Sequence, residues 1–327
     1  MPEIAQSALF AHTPDGTRLP VIDLTNPIFA VPQSDAELNA LAATALAQET
    51  RRGPVQRFFI RMALKLAARR SRLVAALQAA NDGFLSGIAT YVMKLGPDNL
   101  LPPFDTPIDK GMLRSPIVAS LRIRLQQVAT LLAEAVAPKL AADPQKPLCL
   151  LEIAGGPSSD ALNALLLLEQ RGLLAGRKVR IEIYDLDSEG PAFAASMLEA
   201  LKAAPLAGRD ILCHHSTGNW SDTAGLRGLL NSIPSDAIVA ATSEGGLFEY
   251  GSDADISGVL RELAPRVDIV TGSVTRNDQL NRLLRLHSPS TVPRGLDRFA
   301  ALIGPSGYRI ARSRPCPLSD QVLLTRS

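Results

Sequence analysis

Cysteine is scarce in this chain. Its 327 residues hold three, Cys149, Cys213 and Cys316, an odd number set far apart and without metal-ligand spacing. The first two fall in predicted buried strands, so the reading is reduced core thiols. Histidine is nearly as sparse: His12, His214, His215 and His287 are the full set. The adjacent pair has no third partner, and a metal site needs three or more converging ligands, so no metal is expected. An excess of charge of one sign is also missing. With 34 basic and 32 acidic residues the formal net charge is +2, too little for a strong field toward nucleic acid. No apolar run approaches the roughly 20 residues of a membrane span. The opening Met-Pro-Glu-Ile-Ala-Gln lacks the basic n-region and apolar core of a signal peptide. A cytoplasmic protein with no nucleic-acid or membrane partner is expected. There is no Gly-x-Ser-x-Gly elbow, no P-loop and no Cys-x-x-Cys.

The chain is 46% apolar and 20% charged, a globular composition, and it is long enough for one large domain or two. One stretch organises it. Leu148 to Ile153 reads as a strand covered on both faces, running into a glycine turn. Gly155 and Gly156 allow a tight turn and close approach of a ligand. Pro157 presets a first helical turn, Ser158, Ser159 and Asp160 offer cap oxygens, and an apolar run, Ala161 to Leu168, continues the helix. A second strand, Val179 to Tyr184, ends in Asp185. A glycine turn after one strand and an acid closing the next is how a doubly wound sheet grips a nucleoside. The turn reads Ala154-Gly-Gly-Pro-Ser-Ser159, without the first and third glycines of the dinucleotide fingerprint.

Three more strands, Ile211 to His214, Ala237 to Ala241 and Val267 to Thr271, alternate with helices at 191–201 and 252–263. Right-handed crossovers make these five strands parallel. The tail, with a helix at Phe299 to Ile303 and then 307–312 and 321–325, reads as a closing helix and hairpin.

Taken together, Glu152, Ala154, Gly156 and Ser158 resemble motif I of class I S-adenosylmethionine-dependent methyltransferases, (Glu/Asp)-x-Gly-x-Gly-x-Gly. Glu152 matches the acid, Gly156 the second glycine, and Ala154 and Ser158 replace the first and third. Thr242 to Gly251 resembles the segment after strand four in small-molecule methyltransferases, where a Glu-Gly-Leu-x-x-Tyr run flanks the transfer site. The resemblance covers about residues 147–327. It implies an α/β fold: a doubly wound, Rossmann-like seven-stranded sheet of order 3-2-1-4-5-7-6 with strand seven antiparallel. It also implies an S-adenosylmethionine-binding domain at 147–327, preceded at 1–146 by a mainly helical region that covers substrate or dimerises. Glu152, Ala154, Gly155, Gly156 and Ser158 would then lie around the donor. Asp185 would take its ribose, Asn219 its adenine amine, and Trp220 the adenine face. Glu244 and Tyr250 would flank the reacting centre and His287 could serve as general base, with His214 and His215 weaker. Tyr91, Arg122 and Tyr250 could grip the donor carboxylate or the acceptor. A cationic donor suits a site with carboxylates and no lysine.

The first 146 residues are read from pattern alone. Residues 1–33 are proline-punctuated, an arm lying against the rest. Ser34-Asp-Ala-Glu37 is a capping box opening a helix that Gly53-Pro54 breaks. A second helix runs from Val55 through Arg72 and beyond. Between Arg51 and Arg72 stand eight basic residues and no acid. Such like charges at i,i+4 repel by roughly 0.2–0.5 kcal/mol per pair. This helix is expected to dock at a subunit or interdomain interface, which leaves room for a homodimer through the N-terminal helices. Asn81-Asp-Gly83 reads as a turn, Phe84 to Leu95 as a helix, and Pro116 to Leu140 as a long one. The functional expectation is methyl transfer to a small molecule, the acceptor atom unspecified. The alternatives are a methyltransferase-like fold kept for binding, regulation or other chemistry, and a nicotinamide-dependent oxidoreductase.

Overall fold

The computed structural model describes residues 8–31, 34–80, 85–284 and 291–327. The expected turn at 81–83, the start of the helix at Phe84 and the candidate base His287 lie outside the described residues.

The N-terminal arm is not irregular. Phe10–His12 (β1) and Arg18–Pro20 (β2) pair antiparallel. Asp35–Arg51 (α1) opens with the expected capping box, Ser34 accepting from Glu37 N and Glu37 accepting from Ser34 N. The expected long basic helix is two. Pro54–Ala67 (α2) stops, and Ser71 caps a new helix, Arg72–Ala79 (α3), by accepting from Val74 N at 3.0 Å. The break has a tertiary cause: the Ser71 hydroxyl donates to the buried Asp109 carboxylate, 38 residues away. Gly87–Leu95 (α4), Pro107–Leu113 (α5) and the long Pro116–Ala142 (α6) follow.

From Leu148 strand and helix alternate. The elements are Leu148–Ile153 (β3), Ser159–Gln170 (α7), Lys178–Asp185 (β4), Glu189–Lys202 (α8), Asp210–Thr217 (β5), Thr223–Ser232 (α9) and Ile238–Ser243 (β6). Then come Leu247–Tyr250 (α10), Asp253–Leu263 (α11), Ile269–Thr275 (β7), Gln279–Leu284 (α12), Gly295–Ile303 (α13), Tyr308–Pro315 (β8) and Ser319–Arg326 (β9). The sheet order is β5-β4-β3-β6-β7-β9-β8, parallel from β5 to β7, with β9 antiparallel to both its neighbours. Numbered from β3, that is the expected 3-2-1-4-5-7-6.

Alternating side chains send β3 into two cores. Leu148 and Leu150 join a core under α6, α7 and α8; Cys149, Leu151 and Ile153 join the one under α9, α11 and α13. Tyr91 pins the arm onto the first core: its hydroxyl accepts from Ile22 N at 2.8 Å and donates to Pro20 O at 2.7 Å, and its ring meets Phe193 edge-on. Tyr91 is therefore a structural residue; it is buried and its phenol is pushed far up by burial, so it grips no ligand. All three cysteines are free thiols.

Candidate active site at the carboxyl ends of the strands

Ligands of open α/β sheets sit beyond the carboxyl ends of the strands, where the order reverses. Here that point lies between β3 and β6. After β3 the backbone turns left-handed at every second residue: φ is 53° at Ala154, 51° at Gly156 and 53° at Ser158. These are the three positions at which the resembled motif carries glycine. Two L-residues thus occupy a conformation costing roughly 1–2 kcal/mol each.

Glu152 explains the shape. Its buried carboxyl accepts from Ser158 Oγ at 3.0 Å and Ala161 N at 3.2 Å, and a Cβ on Gly155 would stand 2.2 Å from Glu152 Oε2. Glu152 therefore lies beneath the turn and holds it from inside. Burial and the neighbouring Asp160 carboxylate push its pKa well above the ordinary carboxylate range. Asp160, raised chiefly by burial, accepts from Thr242 Oγ1 at 2.5 Å, which joins the turn to β6.

Two outcomes follow from this turn. Ala154→Gly should raise stability by about 0.5–1 kcal/mol, the relief of left-handed strain less the added chain entropy of glycine; urea denaturation measures it. Ser158→Gly should gain less, since it also removes the bond to Glu152. A raised folded pKa gives stability that is full below the ordinary carboxylate pKa and is lost as pH rises toward the folded value. The wild type should accordingly lose melting temperature as pH rises above the ordinary carboxylate range, and Glu152→Gln, which mimics the neutral acid, should flatten that slope.

Asp185 closes β4. Its Oδ2 accepts from Gly156 N at 2.8 Å and its Oδ1 from Asp187 N at 2.9 Å, while burial raises its pKa. Each oxygen keeps a lone pair for a ligand. Asp187 faces the next helix, accepting from Glu189 N and Gly190 N at the start of α8. Glycines let neighbouring backbone close on the turn: a Cβ on Gly190 would meet Gly156 C at 2.8 Å, and one on Gly87 would meet Pro157 Cδ at 3.0 Å. After β5, Gly218 crosses the Tyr184 ring. Asn219 is exposed, its Oδ1 accepting from Ser221 N, and Trp220 is half-buried against the second core. His215 Nε2 lies 3.0 Å from Asp185 O, and the exposed His214 lies 3.0 Å from Glu182.

The segment after β6 is tied to β3 by Ser243, whose hydroxyl donates to Ile153 O at 2.8 Å and accepts from Leu247 N at 2.9 Å. Gly246 packs so close to Ala154 that a Cβ there would meet Ala154 O at 2.8 Å. Arg294 braces the other side through Phe248 O at 3.1 Å and Gly251 O at 2.5 Å. Between them Glu244 is buried under two cations from the N-terminal half: Lys94 of α4 and Arg124 of α6 both donate to it, and Arg124 also reaches Glu249 at 2.9 Å.

This cluster corrects the expectation of a site without lysine. Burial opposes the charge on Glu244, but Arg124 and Lys94 outweigh it and hold its pKa below the ordinary value. It is an ionised anchor and a poor proton acceptor. Tyr250 is pushed up to about 12 by burial and by Glu249, so it too takes no proton near neutrality. Arg122 is also reassigned: it donates to Phe29 O at 3.4 Å and its guanidinium fills the space over Gly96, whereas Arg124, two residues on and on another helix face, turns to the strand ends. Lys94 and Arg124 were missed by the sequence reading. Their signal was there: Lys94 is a lone cation inside the apolar helical run Tyr91-Val-Met-Lys-Leu95, and Arg124 is one of two arginines inside Leu121-Arg-Ile-Arg-Leu125. Among the described residues no three His, Cys, Asp or Glu side chains gather as metal ligands.

No protein-family model matches the chain, and no curated protein does. Solved structures do resemble it. Magnesium protoporphyrin IX methyltransferase from Synechocystis PCC 6803, with bound SAH, is 17% identical, covering 64% of this chain and 87% of that one at a TM-score of 0.42. The mitomycin 7-O-methyltransferase MmcR is 17% identical over 99% of this chain and 81% of its own, also at 0.42. N,N-8-amino-8-demethyl-D-riboflavin dimethyltransferase (RosA) from Streptomyces davawensis is 14% identical over 99% of this chain and 82% of its own, at 0.41.

Proposed function

We propose that the chain transfers a methyl group from S-adenosylmethionine to a small molecule. The observation that carries this reading is the turn after β3, left-handed at positions 154, 156 and 158, with the Asp185 carboxylate held against its Gly156 amide. The residues present fit the donor. Gly155 and Gly246 present bare backbone where a Cβ would collide with Glu152 and Ala154, Gly156 turns the chain at a φ of 51°, and Asp185 offers acceptor capacity to a ribose diol. When bound, the donor supplies an electrophilic methyl on a sulfonium, displaced in line by the acceptor. The protein's part is placement and exclusion of water. Asp185 orients the ribose, with Asn219 and Trp220 beside the adenine. Glu244, fixed by Lys94 and Arg124, holds the segment after β6 against the transfer site. Residues 147–327 carry the donor, and the helical region 1–146 covers the acceptor.

Calorimetric titration with S-adenosylhomocysteine, NADH and NADPH tests the donor. Saturable binding of the first alone agrees with the proposal, and binding of a nicotinamide nucleotide instead would replace it with an oxidoreductase. Radiolabelled methyl turnover over a panel of phenols, amines and carboxylates then separates an enzyme from a binding module.

A further inference from the structure

A groove of about 480 Å³ lies at the end of the sheet opposite the strand-end site, between the carboxyl half of α6 and strands β7, β9 and β8. Its floor is apolar. Pro138 comes from α6, Ile269 from β7 and Leu323 from β9. The register of β7 on β9 sets Ile269, Leu323 and Thr325 on one face of the sheet, the face that α6 covers. Thr325 adds a hydroxyl to the lining: its Oγ1 is buried and has no hydrogen-bond partner among the described residues. The volume falls within the roughly 300–1,000 Å³ of pockets that take small molecules.

Charge selects the ligand. Four cations and two carboxylates stand around this floor, and each carboxylate is shared by two cations. Asp268 pairs with Lys139 at 2.8 Å and with Arg326. Glu134 pairs with Arg312 at 3.0 Å and with Arg314 at 3.1 Å. Burial opposes the charge on Asp268, but Lys139 and Arg326 outweigh it and hold its pKa below the ordinary value. The formal balance is an excess of two positive charges. A guanidinium has five N–H donors and an ammonium three, so the sharing leaves donors over for another acceptor. A wholly apolar ligand would leave that excess unanswered, and a small inorganic anion would leave the floor in water. An anion with an apolar body answers both. These cations already hold two carboxylates, and a third group of the same shape suits the donors that remain.

We infer that this groove binds a free, small apolar carboxylate, its head drawn to Lys139, Arg312 and Arg326 and its body on Pro138, Ile269 and Leu323. The site stands apart from the proposed methyl transfer, since it uses no residue of the strand-end site. The test is calorimetric titration of the full chain with octanoate, kept below its micelle concentration, beside octanol and acetate. Octanoate should saturate at one per chain, with octanol and acetate each roughly tenfold weaker or more. The double change Lys139→Gln, Arg312→Gln should weaken octanoate by roughly tenfold or more. It leaves Arg326 on Asp268 and Arg314 on Glu134, so the melting temperature should stay near that of the wild type. A second variant, Ala135→Phe, narrows the groove from its helix side and should also weaken octanoate. S-adenosylhomocysteine should not displace octanoate, and its affinity should be the same in all three proteins. Octanol or acetate as tight as octanoate, displacement by S-adenosylhomocysteine, no saturable octanoate binding, or full octanoate affinity in either variant would overturn the inference. Failure of S-adenosylhomocysteine to bind would count against the proposed methyl transfer, and the octanoate titrations would still decide the groove.

Discussion

Glu244→Ala is expected to lower the stability of the chain by about 3–5 kcal/mol, the penalty for stripping one partner from a buried ion cluster. The side chains of Lys94, Arg124 and Glu244 are 6%, 8% and 3% exposed, so water cannot replace what is lost. Arg124 keeps Glu249, but Lys94 keeps no other carboxylate partner among the described residues. Equilibrium urea denaturation gives the number. Adding Lys94→Met to Glu244→Ala should recover a good part of the loss, because the orphaned ammonium goes with it. A loss below about 1 kcal/mol for the single change would mean that the cluster is wet and weak. The pH sign is opposite to that of Glu152. A depressed folded pKa gives stability present above the ordinary carboxylate value, lost only as pH falls through the folded one. Acid should therefore weaken the Glu244 contact while leaving the Glu152 contact at full strength.

Asp185→Ala should weaken S-adenosylhomocysteine binding by about 1.5–3 kcal/mol, roughly 10- to 150-fold, the range for hydrogen bonds to a charged group. Asp187→Ala should leave affinity nearly unchanged and instead cost about 1 kcal/mol of stability, since its carboxylate accepts from the first amides of α8. The pair of variants separates the two acids by calorimetry and melting. An affinity loss confined to Asp187→Ala would move the ribose acid two residues along the chain.

The parallel sheet was legible because its strands announce themselves locally. Leu148 to Ile153 is apolar but for Glu152, ends at a glycine turn, and its observed bounds match those read from the pattern. The turn after β3 was legible in outline, and the left-handed φ values at Ala154 and Ser158 account for why glycine is the motif's residue there. The misses share a cause in long-range contact. Ser71 cuts a helix because Asp109 lies against it, and no window around residue 71 contains that carboxylate. The β1–β2 hairpin is three residues a side, held through Tyr91 and through Asn163, which accepts from Leu24 N at 2.8 Å; proline spacing alone conceals it. Lys94 and Arg124 find Glu244 across 150 and 120 positions. A cation in an apolar run says that a partner exists without saying where.

The Lys94–Glu244–Arg124 cluster also limits how this chain can change over evolutionary time. The two halves look like exchangeable cassettes, a sheet at 147–327 and a mainly helical cover at 1–146. They are not freely exchangeable, because the cover supplies the counter-charges for an acid rooted in the sheet. A recombinant that grafts a foreign cover onto residues 147–327 should fold only if it restores cations facing Glu244 and Glu249, or if both acids are neutralised in the same step. On the proposed function, new acceptor specificities are thus expected to arise by substitution within the existing cover more readily than by wholesale replacement of it.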